Sequence, residues 1–196
     1  MPPALCRRHL RVVAIPALVA SGLLLVGCGG GKGKSEPPKV VKKTFTATAD
    51  AYVRATDPKT NFGKNTELRV DGSPPVRTYI QFQPFGIPAV KRATLRVYSL
   101  STSADGFQVR GIPRAWSESK LTYDNAPRPA KVINLSGSLA KGEWQSIDVT
   151  KLLRSPDGTV GLVLVSLGPT EIALASRERT GRAPQLVVES TPPAKS

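Results

Sequence analysis

From residue 45 onward the chain alternates apolar and polar positions with a period of two. Phe45-Thr46-Ala47-Thr48-Ala49, Ala51-Tyr52-Val53-Arg54, Thr66-Glu67-Leu68-Arg69-Val70, Thr78-Tyr79-Ile80-Gln81-Phe82 and Ala93-Thr94-Leu95-Arg96-Val97-Tyr98 all do so. Phe107-Gln108-Val109-Arg110, Gln145-Ser146-Ile147-Asp148-Val149, Gly161-Leu162-Val163-Leu164-Val165 and Gln185-Leu186-Val187-Val188 extend the pattern. Successive side chains of a strand point to opposite faces, so these runs read as strands. Asp71-Gly72-Ser73-Pro74-Pro75 and Pro156-Asp157-Gly158 are turns between them. About nine short strands punctuated by turn residues predict an all-β sandwich of two antiparallel sheets. One helical turn is expected from Val149 to Leu153, capped by Ser146 or Asp148. The predicted core runs from Ala51, Val53, Leu68, Val70, Ile80, Phe82, Leu95, Val97 and Val109 to Ile147, Val149, Leu162, Leu164, Leu186 and Val188. By parity, Arg54, Arg69, Gln81, Arg96 and Arg110 then lie on the opposite faces.

The first 28 residues follow another logic. Arg7, Arg8 and Arg11 precede an apolar run from Val12 to Val26, broken by Pro16, Ser21 and Gly22. That run is shorter than the roughly 20 residues a spanning helix needs. It ends in Leu25-Val26-Gly27-Cys28, which resembles a bacterial lipobox. The resemblance implies a signal peptide over 1–27 and a lipid on Cys28, which becomes the mature N-terminus. Residues 28–44 then read as a flexible basic tether, 45–189 as one domain and 190–196 as a polar tail.

Charge and composition narrow the chemistry. The 196 residues carry 28 Lys and Arg against 14 Asp and Glu, a formal +14. Three of the arginines belong to the leader, and the tether and tail carry part of the rest, so the domain is only moderately basic. The single histidine, His9, and both cysteines, Cys6 and Cys28, lie within the first 28 positions. The domain therefore holds no Ser-His-Asp triad, no cysteine nucleophile, no zinc site built on His or Cys, and no disulfide. Chemistry there rests on carboxylates, Tyr, Lys, Arg or an oxygen-ligated metal.

Several segments, taken in order, resemble the DNRLRE domain, also called carbohydrate-binding module family 96. They begin with Asp50-Ala51-Tyr52-Val53, Asn61-Phe62-Gly63 followed by Leu68-Arg69-Val70, and Tyr79-Ile80-Gln81-Phe82 leading to Ile87-Pro88. Ala93 to Tyr98, Trp116-Ser117-Glu118 with Leu121-Thr122-Tyr123-Asp124-Asn125-Ala126-Pro127, and Trp144 with Ile147-Asp148-Val149-Thr150 continue the series. Ser176-Arg177-Glu178 with Pro184-Gln185-Leu186-Val187-Val188 completes it. The resemblance implies a jelly-roll-type β-sandwich outside the cell that binds polysaccharide without catalysis. Some members of that family bind acidic polysaccharides through a basic groove. This chain differs in carrying no catalytic domain alongside.

Four constellations invite chemical readings. Arg54, Lys59, Lys64, Arg69 and Arg96, aided by Gln81 and Tyr98, form the candidate ligand-binding set, because a planar guanidinium fork matches a carboxylate. The competing reading is a solvated charged face that prevents edge-to-edge pairing. Trp116 to Pro127 reads either as a packed corner of the sandwich or as a sugar-stacking loop, and Trp144 as core or rim. Asp50, Asp57 and Asn61, joined in space by Asp148 and Glu178, are the candidate ligands for a structural calcium. Their spacing matches no compact loop motif, so no metal and no cofactor is expected. No pair of acids stands out for glycoside hydrolysis.

The expected protein is a monomeric, non-catalytic lipoprotein at the bacterial cell surface. Its expected partners are an acidic polysaccharide and, through the lipid on Cys28, the membrane. Nucleic acid is not an expected partner, since no aromatic-interleaved basic motif is present. The alternative is a structural or protein-interaction module of the cell envelope.

Overall fold

Alternation becomes sheet in a computed structural model that describes residues 39–153 and 158–191. Its strands are β1 (Val41–Thr46), β2 (Ala49–Arg54), β3 (Glu67–Gly72), β4 (Pro75–Phe82), β5 (Ala89–Tyr98) and β6 (Phe107–Gly111). They continue as β7 (Val132–Leu135), β8 (Trp144–Asp148), β9 (Val160–Ser166), β10 (Ile172–Ala175) and β11 (Gln185–Thr191). A four-stranded sheet has the order β1-β11-β5-β8. A seven-stranded sheet has the order β10-β3-β4-β9-β6-β7, with β2 paired to β4. All pairings are antiparallel. The architecture is an all-β sandwich of two antiparallel sheets.

Eight of the nine predicted runs coincide with strands, Phe45–Ala49 spans the break between β1 and β2, and β7 and β10 are additional. The first strand opens at Val41, four residues inside the segment read as tether. Its backbone pairs with β11 from Val41 opposite Ser190 to Thr46 opposite Gln185, and that ladder takes in Lys42 and Lys43, which the composition had assigned to a linker. The signal peptide, Cys28 and most of the tether lie outside the described residues.

Every residue of the predicted core is buried, but in two clusters rather than one. Leu68, Val70, Ile80, Phe82, Val109, Leu162 and Leu164 of one sheet meet Leu95, Val97, Ile147, Leu186 and Val188 of the other. Ala51 and Val53 instead join Tyr79, Leu121 and Val163 in a second cluster. Tyr79 and Val163 have the opposite parity from Ile80 and Leu162, so this cluster lies on the outer face of the seven-stranded sheet. The segment 112–126 covers it, with Ile112, Trp116, Tyr123 and Ala126 packed down. Tyr79 Oη donates to Pro127 O at 2.8 Å beneath the cover. The Trp116–Pro127 segment is thus a packed lid over the sheet, as its structural reading required.

That arrangement corrects the parity argument for Arg54. Ala51 and Val53 face the lid, not the sandwich interior, so Arg54 and Arg69 do not share a face by the same rule. The expected helical turn is a 3-10 turn at Thr150–Leu152, and Asp148 Oδ1 accepts the Thr150 N–H at 2.9 Å. That bond holds the Asp148 carboxyl below its ordinary pKa.

Candidate functional site

The outer face of the four-stranded sheet is built by register. Leu95, Val97, Ile147 and Leu186 point into the core, so Arg96, Tyr98, Trp144 and Gln185 point outward. Tyr98 lies directly opposite Trp144, and Arg96 lies between Ser146 and Gln185. The two rings meet edge to face at 5.5 Å between centroids. The Arg96 guanidinium sits 4.7 Å from the Trp144 ring centroid, and Arg182 sits 4.3 Å from that of Tyr98. Gln185 Oε1 accepts from Arg96 Nη1 at 3.1 Å.

Two cations are therefore held on two rings, each stack stabilising by about 0.5–1 kcal/mol where exposed. Neither arginine has a carboxylate partner among the described residues. Beside them opens a cleft of about 350 Å3 lined by Tyr98, Ser99, Leu100, Lys141, Gly142, Arg179, Thr180 and Arg182. Gly142 shapes its floor: its φ is +85°, and its N–H donates to Ser99 O at 2.8 Å. A side chain there is strained, so glycine fixes the turn that presents Lys141. Because one guanidinium already lies on each ring, an incoming sugar at those stacks meets a cation before it meets aromatic surface.

The second basic region behaves differently. Tyr52 and Phe62 stack at 4.4 Å, and Arg54 lies over both at 5.9 and 5.7 Å. Arg54 also pairs with Asp57 at 3.6 Å. Arg69 pairs with Glu171 at 2.7 Å and with Glu67 at 3.6 Å. A cleft of about 380 Å3 is lined here by Tyr52, Lys64, Asn65, Thr66, Glu67 and Arg69. Glu67 also pairs with Arg179 at 3.5 Å, and Arg179 lines the first cleft, so the two clefts adjoin. The charges of Arg54 and Arg69 are largely answered inside the protein.

The predicted ligand set is thus divided. Arg96 and Tyr98 stand on the four-stranded sheet, Lys64 and Arg69 line the second cleft, and Arg54 lies over the Tyr52 and Phe62 rings without lining it. Lys59 is exposed on the neighbouring turn and lines neither. Gln81 faces the lid side, beside Arg114. Sequence reading missed Lys141, Arg182 and the outward placement of Trp144. The signal for Trp144 was its register opposite Tyr98, which no single strand reveals.

A third cluster is acidic. One oxygen each of Asp50, Glu118 and Glu178 falls within 4.8 Å of the others. Among the described residues this is the only acidic group converging closely enough to hold a metal. Asp57 and Asp148 lie elsewhere: Asp57 is paired with Arg54 and Asp148 is held by Thr150. Asn61 spends its amide on Glu118 O and Leu121 O, both at 2.7 Å. Arg177 already supplies countercharge, its Nε lying 2.9 Å from Glu118 Oε1 and 3.2 Å from Glu178 Oε1. The Asp50 N–H donates to Glu118 Oε1 at 2.8 Å, which caps the edge of β2. Asp50 is only 1% exposed, and its Oδ2 accepts the Arg177 N–H at 2.8 Å while Oδ1 has no partner. Burial, reinforced by Glu178 and Glu118, pushes its pKa up to about 8. The cluster ties β2, the 3-10 turn at Glu118–Lys120 and residues 176–178 together.

Among the described residues the structure is a two-sheet sandwich with cation-lined surface clefts. The chain belongs to carbohydrate-binding module family 96, whose profile matches residues 41–190. That family is one of non-catalytic binding modules, and its partner is a glycan. A search of curated proteins finds none that matches this chain.

Proposed function

We propose that the protein binds an acidic polysaccharide through the outer face of the four-stranded sheet, with Arg96, Lys141 and Arg182 meeting its carboxylates. The observation that carries this reading is the pair of ring-stacked arginines without acidic partners. A guanidinium held in place loses less rotamer freedom on binding and keeps its donors forward. The adjoining cleft with Lys64 extends the same basic surface. A single exposed ion pair contributes only about 0.2–1 kcal/mol, so affinity depends on several engaging one chain together.

The Leu25-Val26-Gly27-Cys28 run supports a cell-surface location through a lipid on Cys28, with the lysines that follow adding attraction to an anionic leaflet of about 1 kcal/mol each. Calorimetry of the full chain with a polyuronate and a neutral glucan, at two salt concentrations, tests the function. Selective binding of the polyuronate that weakens with salt is the expected result. Equal binding of the glucan contradicts a charge-led mechanism, and no binding of either favours a structural module of the envelope.

A further inference from the structure

The lid over the seven-stranded sheet carries a basic cleft of its own, on the opposite face of the sandwich from Arg96 and Arg182. It has a volume of about 240 Å3 and is lined by Arg114, Ala115, Trp116, Ser117, Lys120, Leu121, Asn125 and Pro127. Arg114 and Lys120 are exposed and have no carboxylate partner among the described residues. No acidic side chain lines the cleft. Its walls are stiff: Asn125 Nδ2 donates to Lys120 O at 2.7 Å, and Asn125 Oδ1 accepts the Thr122 N–H at 2.9 Å. Trp116 stands edge-on to the buried Tyr79 ring at 6.1 Å, which fixes the floor. Its indole Nε1 is buried without an acceptor among the described residues.

Arg114 and Ala115 also line a smaller hollow of about 90 Å3 with Gln81, whose Oε1 likewise lacks a donor. Gln81 shares the parity of Tyr79 on β4, so both hollows open on the lid side of the sheet. The chemistry assembled there is two exposed cations, the amides of Asn125 and Gln81, and a fixed indole.

We infer that this cleft is a second anion-binding site for the same acidic glycan, and that the protein is therefore bivalent. The inference rests on the proposed function, since it takes the ligand class from the first face. A cleft below the roughly 300–1,000 Å3 of enclosing ligand pockets does not swallow a chain. It suits one uronate residue, its carboxylate held between Arg114 and Lys120, with the rest of the chain running over the surface. Because the two sites lie on opposite faces of a rigid sandwich, one short glycan cannot occupy both. Two different chains can, so the protein cross-links them.

The test is calorimetry of the full chain with a short oligouronate, followed by turbidity with a long polyuronate. Four proteins are compared: the wild type, Arg96→Gln with Arg182→Gln, Arg114→Gln with Lys120→Gln, and all four changes together. Arg114, Lys120 and Arg182 are exposed and Arg96 is half-buried, so the fold is expected to survive these changes, which a melting curve checks. Bivalence predicts two short ligands per wild-type chain, one for each double variant and none for the fourfold variant. It also predicts that long chains precipitate with the wild type alone and redissolve at excess protein. A stoichiometry of one that survives Arg114→Gln with Lys120→Gln, but not Arg96→Gln with Arg182→Gln, overturns the second site and leaves the first standing. A stoichiometry of one with the reverse dependence overturns the first site and bivalence together. No binding by the wild type overturns both readings.

Discussion

The two basic regions that meet at Glu67 and Arg179 have similar composition and opposite electrostatic bookkeeping. At the Tyr52 cleft, aromatic rings and arginines are present, yet Asp57, Glu67 and Glu171 answer them. At the Trp144 face, Arg96 and Arg182 stand with only Gln185 as a side-chain hydrogen-bond partner among the described residues. A paired arginine spends its donors on holding loops together, whereas an unpaired one keeps them for a ligand. Counting basic residues along the chain cannot separate these cases. Where the acids fall in space does so.

The largest expected effect lies outside both basic regions, in the acidic cluster of Asp50, Glu118 and Glu178. Glu118→Ala removes the acceptor for the Asp50 N–H and for Arg177, and leaves Asp50 and Glu178 facing each other across the gap. Because Glu118 is partly exposed, the cost is discounted from the values for fully buried pairs to about 2 kcal/mol. Urea unfolding should show that loss with glycan affinity unchanged. An affinity loss that tracks the stability loss would mean that the acidic cluster and the binding face are coupled. Gly63→Ala should act in the same direction, because its Cβ would fall 2.6 Å from Glu118 O. Overpacking of this kind costs about 1–3 kcal/mol.

The next effect reverses the pattern. Changing Arg96 and Arg182 together to Gln should weaken polyuronate binding at that face tenfold or more, about 1.4 kcal/mol. Stability should fall by about 1–2 kcal/mol at most, chiefly through the two lost stacks on Trp144 and Tyr98. Gly142→Ala should weaken binding by a smaller factor, through the turn that carries Lys141, and calorimetry on that single variant reads it.

A subtler contrast is in pH. The Asp50 carboxyl is raised from 3.8 to about 8 in the folded chain, chiefly by desolvation. Between those values the folded protein keeps a proton that the unfolded chain releases, so stability falls as pH rises through the window and levels off above it. Melting temperatures of Asp50→Asn should lack that fall, because the amide is neutral throughout. A wild type whose stability rises from pH 5 to 8 would show that Asp50 is ionised and held by positive charge. Chelation is expected to change least: with Arg177 already among the carboxylates, added chelator should leave the melting temperature nearly unchanged. A large drop restored by calcium would place a divalent ion at Asp50, Glu118 and Glu178.

The strands were legible because period-two alternation encodes a half-buried ladder directly. β7 escaped because Val132-Ile133-Asn134-Leu135 sits at a sheet edge with Val132 and Leu135 exposed, so its pattern follows no core face. β10 escaped because Ile172-Ala173-Leu174-Ala175 has no polar position to mark a face. The second apolar cluster was hidden for a related reason. In β2, Asp50 to Val53 are buried on both faces, so parity alone assigns Ala51 and Val53 to either side. The candidate site was legible in kind but not in place. Arg96 and Tyr98 belong to one strand and could be paired by eye, whereas Trp144, Lys141 and Arg182 reach them only through the β5–β8 register and the turns beyond. The acidic cluster joins Asp50 to Arg177, 127 positions apart, and no local spacing announces it.

The most direct test of the account sets the two basic regions against each other. Calorimetry with one polyuronate would compare Arg96→Gln with Arg182→Gln against Arg54→Gln with Arg69→Gln, two variants of equal charge change. If unpaired cations make the site, the first pair loses tenfold or more and the second less than about threefold, near 0.6 kcal/mol. Equal losses would mean that net charge alone governs binding. A larger loss in the Arg54 and Arg69 variant would place the site at the Tyr52 cleft and contradict the account.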